Sequence, residues 1–460
     1  MNYVARGEAS LDISDGELDG LFSEALATAL KDVGDPRPVL ILPPDSTRLH
    51  SRAGLLCDMA VRELLKLGEN RVGAVMPALG THRPMREEER KVMFPNTPPS
   101  LFRDHDWRHD VVELGRIDAS WVEKAFGSSS PVFSMDWPAE VNKSLQDGSY
   151  SLIVSIGQVV PHEVMGMSGH VKNIFIGAGG AESINKSHFL GASYGLENLM
   201  GHADTPVRAL LDEAYRRFEH LLPPVLHVLT VLGPRSPGEA RASGRAPGSL
   251  ALRGFFAGFG RDCFERAAKL SRSINIEVLE KPIHRAVVFL DPQEYKSTWL
   301  GNKAIYRTRM AMADNGELTI LAPALDRFGE DPEIDHLIRK YGYRPASDII
   351  MAAAENRDLA ASLGAAAHLI HGSSEGRFRI RYCPGSGLSR KEIESVGYEW
   401  GDINEYSELL ERGLPRGWWV KRPGEERIFC ITNPALGLWT EKAKFKDPTA
   451  NKETGNPGAV

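Results

Sequence analysis

Short runs of wholly apolar residues alternate along this chain with longer stretches whose apolar positions recur every three to four residues. Pro38-Val-Leu-Ile-Leu-Pro43, Arg71-Val-Gly-Ala-Val-Met-Pro77 and Ser151-Leu-Ile-Val-Ser-Ile156 read as strands buried on both faces. Between the first two, Arg52 to Lys66 carries Leu55, Leu56, Met59, Ala60, Val61, Leu64 and Leu65 at the spacing of an apolar helical face. This alternation predicts an α/β fold with mainly parallel sheets covered by helices. All three strands end in polar or glycine-bearing turns: PDSTRLHS, LGTHRP and GQVVPHE. Ligand sites of open α/β sheets collect in such loops, so candidate chemistry is sought there first.

Two further runs, VLHVLTVL and LALRGFFAG, read as strands flanking Gly233 to Ser249, which has almost no apolar content. That stretch is expected to be a flexible hairpin loop rather than an interdomain linker. With 460 residues the chain exceeds one ordinary domain. The boundary is expected near Ser273, after a helix-like Asp262 to Leu270. This gives an N-terminal α/β domain over 1–273 and a C-terminal α/β domain over 274–440, opening with strands at Arg285 to Leu290 and Glu317 to Leu321. The charged, Gly/Pro-bearing stretch 441–460 is expected to be a flexible tail. There is no solenoid repeat, and neither a P-loop nor a G-x-G-x-x-G follows a strand.

Composition narrows the classes. A net charge of -6 gives no electrostatic case for nucleic acid or an anionic membrane. No apolar run reaches the length of a spanning helix, and the opening MNYVARGEASLDISDGELDG has neither the basic start nor the apolar stretch of a secretory signal. Cys57, Cys263, Cys383 and Cys430 are scattered, as suits a reducing compartment. A cytoplasmic globular protein is expected.

Asp45, Thr47 and Arg48 follow the first strand, and a carboxylate, a hydroxyl and a guanidinium in one turn suit an anionic ligand. They equally suit a helix N-cap beside a surface arginine. His82 follows Gly80, whose freedom permits a tight turn at the sheet edge; Glu87 to Glu89 look like the acidic first turn of a helix. The densest segment holds His162, then Gly166-Met-Ser-Gly-His-Val-Lys172, then Gly177, Gly179 and Gly180, then His188. Glycines there allow close approach to a ligand, and Lys172 is a charge partner or an amine nucleophile. Otherwise it is a glycine loop with incidental polar groups, His162 a cap and His188 a core histidine. His170 and His202 are further polar candidates without a motif, and His368 and His371 follow a run of alanines near a helix end. A zinc site on His82, His162 and His188 lacks both H-x-x-x-H spacing and a nearby carboxylate.

Taken in order, D-S-T-R (Asp45 to Arg48), G-T-H-R-P (Gly80 to Pro84), I-G-Q-V-V-P-H (Ile156 to His162), G-x-x-K (Gly169 to Lys172) and N-K-S-H (Asn185 to His188) resemble the nickel-dependent lactate racemase family. The resemblance runs from about Arg37 to Leu325. It implies two α/β domains with the active site in the cleft between them. It implies a nickel-pincer nucleotide as cofactor: a pyridinium mononucleotide with two sulfur-containing groups, loaded by separate maturation enzymes. On this resemblance Lys172 is joined to the cofactor as a thioamide, and His188 gives nickel its protein ligand, a planar set that suits Ni(II). Asp45 and Thr47 line the cofactor or substrate pocket, and Arg48 and Lys303 hold the carboxylate of a small hydroxy acid. His82 and His162 form the acid/base pair of a racemase or epimerase in which the cofactor transiently takes hydride.

Two departures stand out. The family's Y-Q-x-x-K stretch becomes Trp299-Leu-Gly-Asn-Lys303, and its G-G-x-K becomes Gly169-His-Val-Lys172. A lost amide contact and the bulk of Trp299 leave the substrate open between a lactate-like acid and a bulkier hydroxy or sugar acid. The Phe94 to Asp147 segment, with Trp107, Trp121 and Trp137, is expected to reshape the pocket. A histidine–zinc hydrolase and a non-catalytic nucleotide-binding protein are the competing readings.

Overall fold

A computed structural model describes residues 2–128, 130–246, 248–420 and 426–445. The chain forms two compact units: Met1–Ser187 with Met200–Asn275, and His188–Leu199 with Ile276–Val460. Most of the stretch expected to be a flexible tail, 446–460, lies outside the described residues.

In the first unit, strands β1 (Asn2–Gly7), β2 (Val39–Leu42), β3 (Val72–Val75), β4 (Leu152–Gln158), β5 (Val225–Pro234) and β6 (Leu250–Gly258) form one sheet in the order β1-β6-β5-β4-β2-β3. The four strands from β5 to β3 run parallel, and β6 and β1 close the edge antiparallel. Apolar residues on both faces explain why β2 and β4 are buried throughout. Helices α1 (Asp15–Val33) and α2 (Ala53–Leu67) cover one face through Leu18, Phe22, Leu26, Leu56, Ala60 and Leu64. Helix α3 (Arg261–Asn275) covers the other through Phe264, Ala267 and Ala268, packed on Leu229, Val231 and Phe256.

The stretch Gly233 to Ser249 does join an antiparallel pair. It is not structureless, however. Ser236 and Glu239 form a capping box that starts a short helix, Pro237–Ala242, and Glu239 also pairs with the buried Arg253.

The second unit has its own six-stranded sheet. Strands β7 (Ile283–Phe289), β8 (Met312–Ala322), β9 (Arg379–Pro384), β10 (Glu399–Trp400), β11 (Gly417–Trp419) and β12 (Ile428–Ile431) are ordered β10-β9-β8-β7-β12-β11. All pairs are parallel except β11 with β12. The fold is thus α/β with mainly parallel sheets. Among the described residues no helix is long and apolar enough to cross a membrane.

Candidate functional site

Within the first sheet, β2 lies between β3 and β4, so the chain leaves β2 in one direction along the sheet and later returns to its other side. At such a switch point the loops beyond the carboxyl ends diverge and leave a crevice. The loops that leave β2, β3 and β4 carry Asp45, His82 and the His162–Lys172 segment.

Asp45 caps the turn Ser46–Ser51, accepting from the Thr47 amide at 3.2 Å and the Thr47 hydroxyl at 2.5 Å through Oδ1. Parallel pairing continues past the strands, with Ala78 N–H donating to Pro43 O at 2.7 Å, and so brings the β3 exit beside Asp45. Gly80 turns at φ 57 and donates to Gly177 O at 2.9 Å, tying this loop to the glycine-rich segment. The result is a close pair: His82 Nδ1 stands 2.6 Å from Asp45 Oδ2. Burial pushes the Asp45 carboxyl up, but the His82 hydrogen bond and charge, the Thr47 hydroxyl and the Arg48 charge bring it down to about 2. A carboxylate at that distance fixes a proton on Nδ1 of the half-exposed ring, so that Nε2 is the nitrogen left to gain or lose a proton.

Beyond β4, Pro161–His162 pairs antiparallel with Gly166–Met167. Buried His162 accepts at Nδ1 from the amides of Val164 at 3.1 Å and Met165 at 3.4 Å. Gly169 at φ 87 and His170 at φ 60 then turn the chain through the left-handed region, where only glycine is unstrained. Lys172 follows and leads into a π turn over Asn173–Gly177, which Asn173 Nδ2 fastens to Ile156 O at 2.9 Å. The Lys172 amine is lowered to about 8, first by burial and then by the Arg48 charge; Glu163 opposes this, Arg208 adds to it and Asp45 opposes it. The charges acting on this amine therefore come from the loops after β2 and β4 and from Arg208, which braces the latter.

The Phe94–Asp147 segment contributes support to that glycine-rich turn. His105 Nε2 donates to Gly179 O at 2.9 Å while its Nδ1 accepts from Asn142, and the Asn142 amide donates to Ala178 O at 2.7 Å. Trp137 Nε1 donates to Ser183 O at 2.9 Å and Trp107 O accepts from Ala181. Two supporting residues escaped the sequence reading. His105 carries no motif, and Arg208 looks like one more basic residue on a helix. Its guanidinium is in fact fully buried, donates to Gly169 O at 3.1 Å and to Met167 O, and lies 4.4 Å over the Phe264 ring. The only signal for Arg208 is a cation near a helix N-terminus, where the helix dipole disfavours it. His170 stacks on His227 at 4.0 Å, and burial holds both imidazoles neutral.

His188 sits half-buried on helix Ala181–Tyr194. Buried His202 follows a 3₁₀ turn in the first unit. In the second unit Lys303 opens a short helix, with its ammonium 5.9 Å from the Tyr295 ring centre. Trp299, one turn earlier, stacks on His368 at 4.3 Å. His368 and His371 end a helix. Among the described residues no three His, Cys, Asp or Glu side chains group to hold a metal ion. A protein-only zinc site, which needs three or four such ligands, has no such cluster there to rest on.

Residues 23–197 match the family described as lactate racemase N-terminal domain. In fold the chain is similar to a crystallised Thermotoga maritima protein, at a TM-score of 0.74 and 21% identity over 95% of this chain and 100% of that one. It is also similar to the lactate racemase apoprotein of Thermoanaerobacterium thermosaccharolyticum, at a TM-score of 0.65 and 16% identity over 95% and 94% of the two chains. At those identities the likeness speaks for fold alone. No curated protein matches the chain significantly in sequence.

Proposed function

With residues 23–197 matching the family described as lactate racemase N-terminal domain, we propose that the chain is a racemase or epimerase of a 2-hydroxy acid, lactate-like or bulkier, that works with a nickel-pincer nucleotide. The observation that carries this reading is the pairing, at one sheet edge, of a carboxylate-backed imidazole with a lysine amine lowered to about 8. A carbon–hydrogen bond beside an alcohol is not acidic, so inverting that carbon calls for a hydride acceptor, which no protein side chain supplies. The bound nucleotide supplies that acceptor.

The residues fit such a group. Lys172 is a substantially neutral amine near pH 8, as covalent attachment to an acyl or thioacyl carbon requires. A Cβ on Gly169 would meet Val159 at 3.2 Å and Leu229 at 3.3 Å, so the backbone ahead of Lys172 runs where only glycine fits without adjustment. A group that brings its own sulfur and carbon donors needs few protein ligands, and His188 is our candidate. Arg48, with its two-pronged guanidinium, suits the substrate carboxylate, as does Lys303. His82 Nε2 takes the hydroxyl proton, and Asp45 holds the ring and neutralises the imidazolium. The pocket role of Thr47 is to fix the Asp45 carboxylate.

The test is the full chain made together with the cofactor's maturation enzymes. Expected are a mass increment confined to the Lys172 peptide, nickel with sulfur by elemental analysis, and interconversion of isomers within a panel of chiral hydroxy and sugar acids. Zinc without an increment would favour a hydrolase. A loaded chain that turns over nothing in the panel would favour a nucleotide-binding protein.

A further inference from the structure

Gln158 is the last residue of β4, with 9% of its surface exposed. Among the described residues its side chain makes no hydrogen bond, and Oε1 is shut away from solvent without a partner. A buried amide oxygen left unpaired costs stability that an apolar side chain of similar shape would not. Register sets where this group stands. Gln158 lies directly opposite Thr230 on β5, and in-register neighbours of a parallel pair project to the same face. Two residues earlier the pair Ile156 and Val228 is buried in the core beneath α1 and α2, so Gln158 and Thr230 continue that face to the carboxyl ends of the strands. There both strands pack against the turn Ser46–Ser51, and the Thr230 hydroxyl donates to Ser51 O at 2.9 Å. The uncommitted carboxamide therefore lies beside the turn that Asp45 caps and that carries Arg48.

Resting on the hydroxy-acid reading above, we propose that Gln158 determines specificity by accepting a hydrogen bond from a second hydroxyl of the substrate. The substrate class is then a 2-hydroxy acid with a further hydroxyl at C3 or beyond. With the carboxylate on Arg48 and the 2-hydroxyl at His82, the remainder of the acid is what meets Gln158. Oε1 is an acceptor, and the carboxamide carries no charge. A methyl or phenyl group offers it no proton and leaves the oxygen unpaired. A second carboxylate is itself an acceptor only, and Gln158 brings no cation to hold it. A hydroxyl donates to Oε1 and accepts from Nε2, so it satisfies both ends of the amide. Sites built around such a polar contact reject the analogue that lacks the hydroxyl, because the protein group is then left unpaired.

Lactate, glycerate and malate carry hydrogen, hydroxyl and carboxylate at C3 and are otherwise alike. In the loaded full-length enzyme, kcat/KM for glycerate is expected to exceed that for lactate and for malate by roughly ten- to a hundredfold, the factor one buried hydrogen bond supplies. Gln158→Met is expected to bring the glycerate-to-lactate ratio close to one. In the cofactor-free chain, Gln158→Met and Gln158→Leu are expected to leave the urea midpoint of unfolding unchanged or raised, since no protein partner is lost. A midpoint lowered in both variants means that the fold itself holds Oε1, and overturns the proposal. A wild-type preference for lactate or malate, or a ratio that Gln158→Met does not alter, overturns the substrate class. An affinity of the cofactor-free chain for nicotinic acid mononucleotide that falls in Gln158→Met, with the acid preference unchanged, assigns the oxygen to a ribose hydroxyl instead. A wild-type chain that loads cofactor but converts no hydroxy acid overturns the functional reading, and this role with it, while the unfolding midpoints still report on Oε1.

Discussion

Replacing Lys172 by Met should stabilise the cofactor-free protein at neutral pH, with a pH signature that identifies the cause. An unfolded lysine keeps its proton to about 10.5, whereas the folded Lys172 releases it near 8, chiefly because burial and the Arg48 charge oppose the ammonium. Between those values the unfolded chain binds more protons, so stability rises with pH. The gap from 10.5 to about 8 corresponds to about 3 kcal/mol of destabilisation at pH 7. By pH 9.5 roughly 2 kcal/mol of it should be recovered. Methionine has no such titration, so the stability difference between variant and parent should shrink by that amount between pH 7 and 9.5. In the 150–250 residue range roughly 2 kcal/mol displaces Tm by about 4–8 °C, which differential scanning of both proteins in matched buffers resolves. A difference independent of pH, or one that widens as pH rises, would refute the claim that Lys172 is held near neutrality by its surroundings.

Three further outcomes follow from the same geometry. Asp45→Asn should cost about 2 kcal/mol at neutral pH and abolish the fall in stability that Asp45 contributes as pH drops from about 4 to 2, because its carboxyl is held near 2 when folded; acid titration of unfolding checks it. Gly169→Ala meets side chains at 3.2 and 3.3 Å in a left-handed backbone and should destabilise by roughly 1–3 kcal/mol in urea unfolding. His105→Ala takes from Gly179 O its side-chain donor and leaves the Asn142 side-chain amide with Asp110 alone, a loss of about 1–3 kcal/mol; faster hydrogen exchange around Gly177–Gly180 would locate it.

The strands were legible because burial on both faces leaves apolar runs that no solvent-facing element would carry, and the candidate loops were legible as the polar breaks that end them. Their pairing was not. Asp45 and His82 are 37 residues apart, and only the parallel register of β2 on β3 joins them. The sheet order that makes β2 a switch point is likewise a tertiary fact. Arg208 was hidden because a buried guanidinium that donates to the backbone carbonyls of Gly169 and Met167 follows no side-chain pattern in the sequence. The Ser236–Glu239 capping box was readable in Gly233–Ser249, yet its Gly, Pro and Ser content pointed to a flexible loop. The Phe94–Asp147 segment was expected to reshape the pocket; how Trp107 and Trp137 hold backbone around Gly180 was not legible in it.

In the π turn after Lys172, Ala178 N–H reaches back five residues to Asn173 O at 2.8 Å, so this segment winds one residue more per turn than a regular helix allows. Deleting one residue among Ile174, Phe175 and Ile176 would relax it to ordinary winding and rotate everything upstream by about 100°, the angle one helical residue subtends. The surplus residue therefore sets the direction in which the chain presents Lys172.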